Sequence, residues 1–210
     1  MKKLLILAVL VAAAAAAQAQ HEKGSLNIQP RVGMAIANTS HGDKWKPGVA
    51  FGVELEQFIT DKLSVAEGLA FINQGSKFKN FPTDLSGSYS ASMGKDMNMN
   101  IYYIAIPVTA SYYILPGLSI KAGLQPAFHI GESFKQDGNK LDTQAVLDNR
   151  YVKKDAKLNS FDLSIPVGLS YEFSNITLDA RYNIGLTSAV KNYSNHNKVF
   201  VLTLGYKFEL

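Results

Sequence analysis

The chain has 210 residues, 47% of them hydrophobic and 18% charged, with no Cys and a formal net charge of +4. That composition excludes wholesale disorder, and the missing Cys excludes disulfide scaffolds, thiolate metal sites and a lipidated N-terminal Cys. No dense stripe of Lys and Arg points to nucleic acid, and no apolar run after residue 20 reaches the roughly 18 residues a membrane helix needs.

Residues 1–19 read as a secretory signal peptide. Lys2 and Lys3 supply the positive start, Leu4 to Ala17 the apolar stretch, and Ala17-Gln18-Ala19 the small-residue cleavage site. Removing them takes two lysines and no acid, so the net charge falls from +4 to +2. Residues 20–210 then form one exported domain that starts at Gln20.

From Ser25 onward the dominant period is two. In the first segment Leu26, Ile28, Pro30, Val32, Met34 and Ile36 alternate with Asn27, Gln29, Arg31, Gly33, Ala35 and Ala37. The second and third segments, 48–58 and 63–74, follow with one departure, Glu67 on the apolar face. The fourth covers 99–114. Segments 118–130, 161–173 and 176–187 alternate cleanly, and the last, 198–208, puts Val199 and Val201 on the polar face. In the four clean segments every position of one face is apolar and none of the other carries a large apolar side chain. Strands with one greasy face produce that pattern and helices do not. Glu67, Val199 and Val201 are expected at bulges or strand ends. Pro30, Pro107, Pro126 and Pro166 each remove a ladder donor, so bulges or missing bonds are expected there too.

The connections 39–47, 75–98, 131–158 and 188–197 are long, whereas 59–62, 115–117 and 174–175 are short. Strict alternation of long and short connections is the mark of a transmembrane barrel, with short periplasmic turns and long extracellular loops. The non-apolar face is rich in Gly, Ala and Ser, which suits the cramped interior of an eight-stranded barrel. Aromatic residues agree. Phe51, Phe71, Tyr102, Phe128, Phe161 and Phe200 fall near one rim of the apolar face; Tyr112, Tyr171, Phe173, Tyr206 and Phe208 fall near the other. Ten residues separate Tyr102 from Tyr112, roughly 25 Å of membrane height for tilted strands. The expected architecture is therefore all-β: an eight-stranded antiparallel transmembrane β-barrel with both termini periplasmic.

Three stretches carry a family likeness. Tyr103-Ile104-Ala105-Ile106-Pro107-Val108 resembles the Y-[LI]-x-I-P-[LV] fourth strand of the porin-family outer-membrane barrels often labelled PorT-like. Asp179-Ala180-Arg181-Tyr182-Asn183-Ile184-Gly185-Leu186-Thr187 resembles their seventh strand, and Leu204-Gly205-Tyr206-Lys207-Phe208 their closing strand. The resemblance implies an OmpA/OmpX-like meander in a Gram-negative outer membrane and, for some members, a part in protein export. Ala105 stands where that family often has Glu, and Glu209-Leu210 extend beyond its usual terminal Phe.

Inward-facing ionisable residues are expected to be Arg31, Glu54, Glu56, Lys121, His129, Asp162, Glu172, Asp179, Arg181 and Lys207. In so narrow a lumen opposite charges must neutralise one another. Arg181 has Asp179, Asp162, Glu54 and Glu56 as candidate partners. A Ser-His-acid set from His129, Ser133, Glu132 and Asp162 near the outer rim is the strongest enzymatic alternative. The packing reading of His129 is preferred to it, so no catalytic residue is assigned. His21, His41 and His196 lack metal-ligand spacing, and Asp137 to Asp142 lacks the Gly and Glu of a calcium loop. No cofactor or metal is expected. Membrane lipid and outer-leaflet lipopolysaccharide are the implied partners, with an extracellular-loop or export-machinery partner as a further candidate; Phe78, Phe81 and Tyr89 on a long loop are candidate contacts for a partner or glycan, but flexible filler is the preferred reading.

Overall fold

The computed structural model describes residues 22–81, 95–136, 139–142, 146, 157–191 and 194–210. Residues 1–19, which the sequence reads as a signal peptide, and Gln20, His21, Tyr89, Asp137 and most of the two longest loops lie outside them.

Eleven strands occur among the described residues: β1 (Leu26–Thr39), β2 (Lys46–Thr60), β3 (Leu63–Phe81), β4 (Lys95–Ala105), β5 (Val108–Leu115), β6 (Leu118–Gln136), β7 (Asn139–Lys140), β8 (Phe161–Phe173), β9 (Ile176–Ser188), β10 (His196–Tyr206) and β11 (Phe208–Glu209). All pair antiparallel, and β1 closes the ring by pairing with β2 on one side and with β10 and β11 on the other. Eight staves result. β4 and β5 form one stave interrupted at Ile106-Pro107; β10 and β11 form another interrupted at Lys207. Following partners once round, Leu26–Gln57–Val65–Ala110–Ala122–Val167–Tyr182–Phe200, returns to Ile36, ten residues further along β1. With eight staves, that stagger tilts each strand by about 40° from the axis.

The short turns are tight for a chemical reason. Gly117 has φ +76°, and a Cβ there would sit 2.3 Å from the Glu172 carbonyl oxygen. Ser174, φ 53°, takes the same left-handed region in the two-residue turn between β8 and β9.

At Pro107 the expected missing bond interrupts the strand, while the register on both sides is unchanged: Ala70↔Ala105 and Glu67↔Val108 belong to one ladder. Other sequence expectations need correction. Pro30, Pro126 and Pro166 sit inside continuous strands. Glu67 is neither bulged nor at an end; it lies mid-strand with its side chain exposed on the outer face. Val199 and Val201 are buried inside the barrel opposite Ala37 and Ala35. The strands also run further than the alternation suggested, since β3 reaches Phe81, β4 begins at Lys95 and β6 reaches Gln136.

That extension changes the interior. Along β4 the inward positions Met97, Met99, Ile101 and Tyr103 are all fully buried. With Phe78, Phe134, Val146, Leu158 and Val190 they form an apolar core at the long-hairpin end. Phe78 is therefore a core residue and not an exposed loop aromatic.

Candidate functional site

Below that apolar cap the interior turns polar. Arg31 on β1, Glu54 on β2, Lys121 on β6 and Asp179 and Arg181 on β9 all point inward, because each has the parity opposite to the lipid-facing residues of its strand. They form a closed ring. Arg31 Nη2 lies 2.9 Å from Glu54 Oε2, and Arg181 Nη1 lies 2.7 Å from Glu54 Oε1. Arg181 Nε lies 2.6 Å and Arg31 Nη1 3.1 Å from the two oxygens of Asp179. Lys121 Nζ joins Asp179 at 3.2 Å. Arg31 also donates to Gln29 Oε1 at 2.8 Å, and Gln29 in turn donates to Thr177 Oγ1.

A second cluster sits nearer the short turns. Lys207 Nζ lies 2.8 Å from Glu56 and 2.5 Å from Glu172, and donates to the Tyr113 hydroxyl at 3.0 Å. Ser64 donates to Glu56 Oε1 at 2.6 Å. The Lys207 ammonium also approaches the Phe58 ring, 5.4 Å from its centroid. The two clusters together hold four cations, Arg31, Lys121, Arg181 and Lys207, against four carboxylates, Glu54, Glu56, Glu172 and Asp179. Among the described residues, charge is thereby balanced within these two clusters, as desolvation demands.

The remaining polar residues stand apart from those clusters. Asp162 accepts from the Thr187 hydroxyl at 3.1 Å. His129 Nε2 lies 2.8 Å from Glu132 Oε2 and its ring packs 5.9 Å from Tyr103. Ser133 does not join them. A register shift between Tyr102 and Tyr103 turns Ser133 away, opposite Asn100, and its hydroxyl has no hydrogen-bond partner among the described residues. The Ser-His-acid geometry is absent. His196 Nδ1 lies 3.0 Å from the Thr187 carbonyl oxygen.

A small cavity of about 40 Å³ lies beside the ring, lined by both arginines, Ala50, Gly52, Ala70, Gln125, Asn183 and Thr203. Further out, beyond the membrane-spanning part of β2, Lys46 is buried with its ammonium 3.3 Å from Asn73 Oδ1. Burial first, and then the neighbouring Lys77, push its pKa down to about 8.

On the outer face the aromatic side chains form two rows. Phe51 stacks on Phe71 at 4.9 Å and Phe71 on Tyr102 at 6.0 Å; Phe128 meets Phe161 edge-on at 5.7 Å. Phe200 lies on the same row, opposite Tyr182 and Ile36. At the other rim Tyr206 and Phe208 pack at 4.7 Å, and Tyr112, Tyr171 and Phe173 face outward on their strands. Sequence reasoning missed the apolar cap. Its signal is the inward parity of Phe78, Met97 and Phe134, but those residues lie in the connections 75–98 and 131–158, and Met99 is the first residue of its segment.

A family model described as outer membrane protein beta-barrel domain matches residues 17–191. No curated protein matches the sequence. Among solved structures, Ail, the attachment invasion locus protein of Yersinia pestis, in complex with the heparin analogue sucrose octasulfate, is similar with a TM-score of 0.50 and 14% identity, covering 89% of this chain and 99% of that one. Neisserial surface protein A is similar with a TM-score of 0.50 and 16% identity, covering 89% and 100%. At such identities the likeness is one of fold alone.

Proposed function

The chain belongs to the outer membrane protein beta-barrel domain family, and from that premise we propose that it is a non-enzymatic membrane scaffold with a plugged lumen. Its N- and C-termini face the periplasm and its long hairpins face outward. One observation carries the reading: the closed ring of Arg31, Glu54, Asp179 and Arg181 lies directly beneath an apolar cap. An ion crossing such a lumen would meet a packed layer that includes Phe78, Met97, Met99 and Phe134 and then have to break a neutral set of charges. The experiment is conductance of the purified barrel in planar bilayers. Silence is expected, and sustained ohmic current would overturn the plug.

The working surface is then the outer rim. Exposed Lys44, Lys79, Lys135, Lys140, Lys157, Lys191 and Lys198 gather there, which favours phosphate groups of outer-leaflet lipopolysaccharide or another polyanion. The bound polysulfate of the similar Yersinia pestis protein is in keeping with that chemistry. On the strand motifs at residues 103–108, 179–187 and 204–208, the chain is further proposed to fall with the PorT-like barrels. Comparing secreted proteins with and without the gene tests this, since lost cargo would favour an export assembly over a scaffold acting alone.

A further inference from the structure

The lipid-facing wall carries one carboxyl where none is expected. Glu67 is exposed on the outward face of β3, opposite Leu55 of β2 and Val108 of β5. Phe71 of the outer aromatic row is four residues away along the strand, and Leu63, opposite Tyr112, is four residues away the other way. Each interval corresponds to roughly 10 Å of depth, so Glu67 sits near the middle of the bilayer. No hydrogen bond or ion pair reaches it among the described residues. Hydrocarbon offers no hydrogen bond, and an ionisable group at that depth calls for a partner.

The strand tilt identifies where a second polar group lies. Crossing from β3 to β2 descends towards the short-turn rim by about 3 Å, and two residues along β2 descend by about 5 Å more. Gln57, also exposed and unpartnered among the described residues, therefore lies almost vertically below Glu67, level with Tyr112. Leu55 and Val65 flank that line on either side.

The geometry points to a homodimer whose two-fold axis runs along the membrane normal beside the Glu67–Gln57 line. Such an axis inverts neither barrel and sets each residue against its own copy. An amide pair is self-complementary as it stands, and a carboxyl pair is so once a single proton lies between the two oxygens. Leu55 of one copy then meets Val65 of the other, so the polar line is bordered by apolar packing. A different membrane protein would need donors at both depths on one vertical line; a second copy has them by symmetry.

The chain has no Cys, which makes cross-linking clean. Gln57→Cys is placed on the axis, and Leu169→Cys, on the exposed face of β8, is the control. In outer membranes treated with a mild oxidant, Q57C is expected to give a band of twice the monomer mass and L169C none. Adding Glu67→Leu to Q57C should return the band to the control level, with heat-modifiable migration on gels checking that each barrel is folded. Equal cross-linking at both sites, or none at Q57C, would overturn the dimer in favour of lipid at Glu67. An adduct of any other mass would overturn it in favour of a foreign partner. For the unmodified chain, the mass of single nanodiscs should show two copies at limiting lipid; one copy throughout contradicts the dimer.

Discussion

Arg31 and Arg181 belong to strands that do not touch, with β10 between them, yet each guanidinium binds both Glu54 and Asp179. Two cations and two carboxylates thus tie β1, β2 and β9 together through the lumen, independently of the hydrogen-bond ladders.

That sharing makes Glu54 a sensitive position. In Glu54→Gln two arginines lose a carboxylate at once while remaining buried, and uncompensated buried charge costs about 3 kcal/mol or more. The expected outcome is a lower urea midpoint in lipid vesicles. Combining it with Arg181→Met should cost less than the sum of the single changes, because the second removes a charge the first left stranded. Strict additivity would show that the two do not interact.

Among the described residues, Lys207 is the one cation bridging Glu56 and Glu172 in the cluster near the short turns. Lys207→Met leaves two carboxylates facing each other beside Tyr113, with an expected loss of about 3–5 kcal/mol. Adding Glu172→Gln removes one of the two repelling charges and should recover part of that loss. Urea unfolding of both variants checks this, and a double variant no better than the single one would contradict it.

Phe134 is buried in the apolar cap, opposite Met99 in register and in the same cluster as Met97 and Phe78. Phe134→Ala should cost about 3–5 kcal/mol, the range for an aromatic removed from a packed core. Leu169→Ala, a truncation of similar kind on the lipid-facing wall, should cost clearly less because no packed protein cavity is left behind. Thermal unfolding of the two variants side by side decides it.

The contrast between these residues explains what the sequence could reveal. Across the bilayer the outward side chain meets lipid and the inward one a polar lumen, so Leu163, Ile165 and Val167 alternate with Asp162, Ser164 and Pro166 and the stave is legible. Beyond the outer row the solvent changes from lipid to water and the chemistry of the two faces exchanges while the parity does not. Along β4, Tyr102 and Ile104 face outward into lipid, whereas Asn98 and Asn100 face outward into water with Met97 and Met99 inside. A reading tuned to one greasy face ends where that exchange occurs, and the strand extensions beyond it resemble loops. The ionic ring was legible as a set of inward charges and as four candidate partners for Arg181, of which it contacts Asp179 and Glu54, while Glu56 pairs with Lys207 and Asp162 accepts from Thr187. Which partner each would find depends on the stagger of ten residues around the barrel, which no local pattern encodes.

Lys46 gives a pH dependence whose sign is fixed by its surroundings. Its ammonium is buried at the outer end of β2, near Asn73 and Lys77, and its pKa falls from 10.5 to about 8 on folding. Below pH 8 both the folded and the unfolded chain hold the proton, and the cost of burying the charge is fully present. Between pH 8 and 10.5 the folded chain has released the proton and the unfolded chain still holds it, so stability rises with pH. Above 10.5 neither holds it and the cost is gone. Lys46→Met removes the group without removing the apolar stem, so the variant should be more stable than the parent at pH 7. The rise between pH 8 and 10.5 should also be smaller in the variant. Urea midpoints of the two chains at pH 7, 9 and 10 test it; curves that stay parallel across that range would show that the folded barrel keeps the Lys46 charge solvated.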